Sequence, residues 1–224
     1  MEYFEDLKKS KIFSLSTETE CQAMMFCFKT RFKTFEKNQH IVQQGETMED
    51  IVLIVKGSAL VEHIDSMGEI SILMRIKKGG LYGLESAYAG DLTYKDSLIA
   101  SEKCLVLFMN KHRVINPCDN RCGRHEKVTK NLMKIIAESN MRLLDKLTHM
   151  SKKTTRDKLL SYFNSLAHKS GSDYFEIPFN KTELANFLSV DRSAMSTELS
   201  KMKEDGIIDF DKRQFRLIKK KIEE

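Results

Sequence analysis

No apolar run in this 224-residue chain approaches the roughly 20 residues that a membrane-spanning helix needs. The first six residues, MEYFED, have neither the basic nor the apolar region of a signal peptide, so a cytoplasmic location with no membrane partner is expected. A disulfide framework is missing too, because the five cysteines are odd in number and scattered in spacing, which predicts reduced thiols. Charge of one sign is not in large excess. The net charge is +5, but residues 1–124 carry 17 basic and 17 acidic side chains while residues 125–224 carry 20 and 15. The whole excess therefore lies in the second half, where a polyanion would bind. With 41% hydrophobic and 31% charged residues, the composition is that of a globular protein with room for two cores.

Thr17 with Glu20 forms a capping-box pattern that opens a short helix containing Ala23, Met24, Met25, Phe26 and Phe28. From Lys33 to Phe108 the pattern is that of strands. Ile51–Val55, Ala59–Ile64, Ile70–Ile76 and Cys104–Phe108 are β-branched or alternating runs separated by turn-forming segments, which suggests a barrel or roll. After Pro117 the pattern turns helical, and Leu132, Ile136, Leu143, Leu147 and Met150 fall on one stripe, interrupted by Asn140. That stripe packs either on the chain's own domain or, as its length and the single Asn favour, on the same helix of a second subunit. The polar stretch at residues 151–155 marks a hinge, and a second helix is expected over residues 156–168. The domains are thus a roll at 1–127, a dimerisation helix at 128–150 and a third domain at 151–224.

In that third domain Ile177-Pro-Phe179 is expected to be extended. Asn180 with Glu183 predicts another capped helix, Ser189-Val-Asp191 a turn, and Asp191 the N-cap of a helix from Arg192 to about Asp205. The last of these should bury Ala194, Met195, Leu199 and Met202 and present Arg192, Ser193, Ser196, Thr197 and Lys201. In a helix-turn-helix the second helix enters the major groove, where guanidinium and short polar side chains meet base edges and phosphates. A hairpin wing follows, residues 207–218, with Lys212 and Arg213 at its tip near phosphates.

The order of roll, long helix and winged helix-turn-helix resembles the Crp/Fnr family of bacterial regulators over nearly the whole chain. The resemblance is carried by Ile41-Val-Gln-Gln-Gly45-Glu46, Ile51–Gly57, Tyr82-Gly83, residues 183–193 (ELANFLSVDRS) and Asp205-Gly-Ile-Ile208. It implies an α+β fold with an N-terminal double-stranded β-roll of the cyclic-nucleotide-binding type, a homodimer, an operator in duplex DNA, RNA polymerase as a partner if the protein activates, and a small-molecule effector. One departure concerns that effector. Where cyclic-nucleotide binders of the family carry an Arg-Ser or Arg-Thr pair for the phosphate, this chain has Tyr94-Lys95, with no arginine between Gly83 and Ala100. The pair offered to adenine appears as Leu143 and Leu144. Cyclic AMP is therefore not expected. Either an apolar or aromatic effector sits among Tyr82, Gly83, Glu85, Tyr88, Tyr94, Lys95, Leu143 and Leu144, or the cassette is vestigial.

Cys118 and Cys122, followed by His125, form one cluster with ligand chemistry, suited to zinc, haem iron or a redox disulfide, or else to simple packing around a turn. The family's four-cysteine iron-sulfur arrangement is not matched, since Cys21 and Cys27 sit on a helix expected to be buried. A thiol enzyme is disfavoured because no nucleophile, base and orienting group come together in the sequence.

Overall fold

Alternating apolar residues and left-handed glycine turns fold residues 31–110 into two facing antiparallel sheets. The computed structural model describes residues 3–14, 16–116 and 123–218, and the chain forms two compact units, residues 1–140 and 141–224. The first unit begins with α1 (Phe4–Lys8) and α2 (Glu18–Cys27). It continues through β1 (Arg31–Phe35), β2 (His40–Val42), β3 (Asp50–Lys56), β4 (Ser58–Ile64), β5 (Ile70–Lys77), β6 (Leu81–Tyr82), α3 (Leu84–Ala89), β7 (Ser97–Ala100), β8 (Cys104–Asn110) and α4 (Lys111–Ile115). One sheet has the order β1-β8-β3-β6 and the other β2-β7-β4-β5. This is the expected roll. The four strands legible from alternation are β3, β4, β5 and β8, with ends shifted by up to two residues.

Central position explains the clearest of them. Ile51 to Val55 are all at most 1% exposed, because β3 lies between β8 and β6 and is covered on both faces. The chain crosses from one sheet to the other at Gly57. Its φ is +86°, and a Cβ there would lie 2.6 Å from the Lys103 carbonyl oxygen and 2.8 Å from Cys104 Sγ. The Cys104 thiol, fully buried beside that crossing, is pushed above its usual pKa by desolvation. Cys21 is likewise buried, its pKa raised by burial to about 11, whereas Cys27 on the same helix is exposed, contrary to expectation. The buried face of the helix runs through Cys21, Met24 and Phe28, and Cys27 falls off that face beside exposed Phe26.

The helix α5 (Gly123–Met150) is 28 residues long. Within the first unit its buried residues are Val128, Leu132, Ile135 and Ser139, and the apolar three belong to the roll's core. This corrects the expected stripe at Leu132, which is 0% exposed and so is not available to a second subunit, while Ile136 is half-buried against the same core. Leu143 and Leu147 of the expected stripe are exposed, and the exposed residues that fall on one line of the helix are Met133, Ala137, Asn140, Leu144 and Leu147, spaced four, three, four and three. Met150 is half-buried.

The second unit contains the end of α5, then α6 (Thr155–Ser170), β9 (Tyr174–Glu176), α7 (Lys181–Leu188), α8 (Arg192–Glu204), β10 (Ile208–Asp211) and β11 (Gln214–Leu217). Its sheet order is β10-β11-β9. The extended piece expected at Ile177–Phe179 lies just upstream, at β9, where Phe175 pairs with Phe215. Proline at 178 cannot donate to a ladder, which accounts for the shift. With no tryptophan in the chain, phenylalanines form this core. Phe163 lies 5.2 Å from Phe215 and 5.8 Å from Phe175, while Phe187 is 4.8 Å from Phe179 and 5.4 Å from Tyr162, all centroid distances.

Candidate nucleic-acid interface

Local chemistry sets both helices of the helix-turn-helix. Asn180 caps α7 by accepting from Glu183 N, and the Glu183 carboxylate accepts from Asn180 N at 2.8 Å, so the capping box is complete. Ser189 then takes a left-handed conformation, φ 50°, ending α7. Asp191 restarts the chain as the N-cap of α8, accepting from Ala194 N at 2.7 Å and from Ser193 Oγ at 2.5 Å. The Ser193 hydroxyl, foremost, with the Ala194 N–H, holds the Asp191 carboxyl below the usual carboxylate range.

α8 has a clear inside and outside. Met195, Leu199 and Met202 are at most 1% exposed. Arg192, Ser193, Thr197 and Lys201 are exposed and Ser196 is half-buried. Ala194, expected inside, is exposed: at about 100° per residue it is rotated off the buried line of Met195, Leu199 and Met202. The hairpin of β10 and β11 pairs Asp211 with Gln214, leaving Lys212 and Arg213 as its two-residue tip, both exposed. Lys212 has φ 53°, and the Arg213 carbonyl accepts from Ile177 N at 2.9 Å, which ties the turn to the body of the unit.

Two basic residues of α6 escaped sequence reasoning. The Arg156 guanidinium donates from Nε to Glu198 Oε1 at 2.5 Å and lies 2.8 Å, through Nη1, from Asp205 Oδ2. Lys158 Nζ donates to the carbonyls of Leu188 and Ser189 at the end of α7. Their partners lie 30 to 49 positions away, so no local pattern announces them.

In the roll, Gly83 has φ +83°, and a Cβ there would meet Met48 Cε at 2.9 Å. Tyr82 and Tyr94 stack with centroids 5.9 Å apart. The Tyr82 hydroxyl donates to the Asp96 carbonyl and that of Tyr94 to the Asp50 carbonyl, each at 2.7 Å. Burial raises both phenol pKa values. Of the remaining cassette residues, Glu85, Tyr88 and Lys95 are exposed, and Lys95 Nζ lies 3.2 Å from Asp91 Oδ1. Leu143 and Leu144 are exposed on the part of α5 that belongs to the second unit. Cys118, Cys122 and the side chain of His125 lie outside the described residues. Among the described residues no group of three or more His, Cys, Asp or Glu is arranged to hold a metal ion, and no helix is long and apolar enough to cross a membrane.

Comparison with known proteins agrees with this architecture. Residues 32–121 match the cyclic nucleotide-binding domain and residues 157–221 the Crp-like helix-turn-helix domain. The chain is 20% identical over 185 residues to the electron transport regulator A of Shewanella oneidensis, covering 80% of this chain and 71% of that protein. Among solved structures it is similar to the c-di-GMP-responsive global regulator CLP of Xanthomonas campestris. The TM-score there is 0.74 at 11% identity, over 91% of this chain and 100% of that one. It is also similar to FixK2 of Bradyrhizobium japonicum, with a TM-score of 0.67 at 18% identity over 85% and 93%. With both matched domains present in order and the fold shared with these regulators, the chain belongs to the Crp/Fnr family of DNA-binding transcription regulators.

Proposed function

We propose that the chain is a homodimeric regulator that reads an operator with α8 and answers to an effector other than cyclic AMP. The observation that carries the reading is the division of α8: a capped helix anchored by Met195, Leu199 and Met202 that offers Arg192, Ser193, Thr197 and Lys201 to solvent, with Ser196 partly so. Arg192 at the first turn suits a bidentate contact with guanine, while the N–H groups of that turn are engaged by Asp191. Lys212 and Arg213 on the wing supply sequence-independent phosphate contacts.

Dimerisation runs through the 128–150 segment, and its support is the heptad spacing of exposed Met133, Ala137, Asn140, Leu144 and Leu147. Residues 1–127 act as the sensor and residues 151–224 as the reader. The place at which a cyclic phosphate would need its arginine is taken by Tyr94, 5% exposed with its hydroxyl donating to the Asp50 carbonyl of β3, which supports an effector of other chemistry. Arg192→Ala and Thr197→Ala are expected to weaken operator binding more than binding to random duplex. An equal loss on both would exclude base readout by α8.

A further inference from the structure

The contact between α6 and α8 carries a consequence for regulation that rests on the DNA-reading function proposed above. α6 starts at Thr155, directly after the polar stretch Ser151–Thr154, and Thr154 caps it by accepting from Asp157 N. Arg156 is therefore the second residue beyond the connection from α5. Its guanidinium holds two carboxylates at once, that of Glu198 in α8 at 2.5 Å and that of Asp205, the C-cap of α8, at 2.8 Å. Those two residues are seven apart, about two helical turns and roughly 10 Å along the axis, on one face. At about 100° per residue that face lies about 160° from the centre of the one bearing Arg192, Ser193, Ser196 and Thr197. Lys201 lies only about 50° from the two clamped carboxylates, so the clamp grips α8 on the flank beyond Lys201 and away from Arg192, Ser193 and Ser196.

Met195, Leu199 and Met202 already seat α8 on the core of its unit, and two polar contacts two turns apart add a directional restraint on its rotation and tilt. The three side chains are partly exposed, at 35%, 21% and 48%, so the pairs contribute little to folding free energy. Their effect is on orientation. The planar fork of arginine suits that task, and a lysine point charge does not hold two carboxylates in fixed directions. We infer that Arg156 is a positioning residue, making α8 follow any rotation of α6 at the Ser151–Thr154 connection. By this route an input to the rest of the chain changes the pitch at which the recognition helix is presented.

The test uses the full-length protein, an operator selected with the wild type, and a random duplex of equal length, all well below the unfolding temperature. Arg156→Met is expected to weaken operator binding about tenfold or more while changing random-duplex binding less than about twofold. Its unfolding midpoint should stay close to that of the wild type. Arg156→Lys should recover only part of the loss. Glu198→Gln should weaken operator binding alone but add nothing in the Arg156→Met background, since both remove one clamp. Unchanged operator affinity in Arg156→Met overturns the inference, as do losses that add, or a parallel loss on both duplexes. A wild type that selects no sequence overturns the DNA-reading function itself, whereas a selecting wild type matched by its Arg156→Met variant overturns only the clamp.

Discussion

The double variant Leu144→Ala, Leu147→Ala separates the exposed stripe of α5 from the face that is already covered. Leu144 is 49% and Leu147 61% exposed, so about half of each side chain is still to be removed from water. Full burial of a leucine contributes about 1.5–3 kcal/mol, and the exposed half therefore about 1 kcal/mol. A two-fold axis places four such side chains in the interface, giving about 4 kcal/mol and about a thousandfold weaker dimer dissociation constant in the variant. Sedimentation equilibrium over a concentration series measures that constant directly. Leu132→Ala is the control. Leu132 is 0% exposed within the roll's core, so its truncation should cost about 2–5 kcal/mol of roll stability and leave the dimer constant unchanged while the protein is folded. A double variant that dimerises like the wild type, or dissociation of folded Leu132→Ala, would refute the assignment of faces.

Three further outcomes are expected. Lys146 is 9% exposed over the Phe187 ring, and burial lowers its pKa from 10.5 to about 8. Below pH 8 both folded and unfolded chains carry the proton. Between about 8 and 10.5 only the unfolded chain retains it, so stability should rise with pH across that window. Lys146→Met should remove this rise and stabilise the protein by about 1 kcal/mol at neutral pH, as read from denaturant curves; destabilisation would show the ammonium to be well compensated. His149, bonded to Ser161 Oγ at 2.8 Å, also has a pKa lowered by burial, so stability should fall as pH drops through and below 6.5. Gly57→Ala, with its new Cβ against the Lys103 carbonyl and a positive φ, should lower the roll's melting temperature by several degrees, about 1–3 kcal/mol; an unchanged melting curve would contradict the tight crossing.

How far the sequence revealed this molecule depends on how local each cause is. The capping boxes at Thr17 with Glu20 and Asn180 with Glu183 close within four residues, and both helix starts were legible. β3 was legible because burial on both faces requires a continuous apolar run. β1 was not resolved as a strand of its own, since it pairs only with β8 and keeps charged Arg31 and Lys33 outward. The stripe on α5 was misphased for a different reason. That helix has two apolar faces, one through Val128, Leu132 and Ile135 and one through Met133, Leu144 and Leu147, and periodicity alone merges them into an intermediate line. On α8 the outward residues follow from the cap at Asp191, but the clamp from Arg156 depends on tertiary packing across 42 positions. The Tyr82–Tyr94 stack, with both hydroxyls satisfied by backbone carbonyls, likewise has no local signature.

Selection of bound fragments from a random pool of duplex DNA tests the central claim most directly. Two recognition helices related by a two-fold axis predict an enriched palindrome whose half-sites lie about 34 Å, or about 10 base pairs, apart. Arg192→Ala should relax the preference at one position in each half. Recovery of no common sequence, or of a single unpaired half-site, would contradict a dimer that reads DNA through α8.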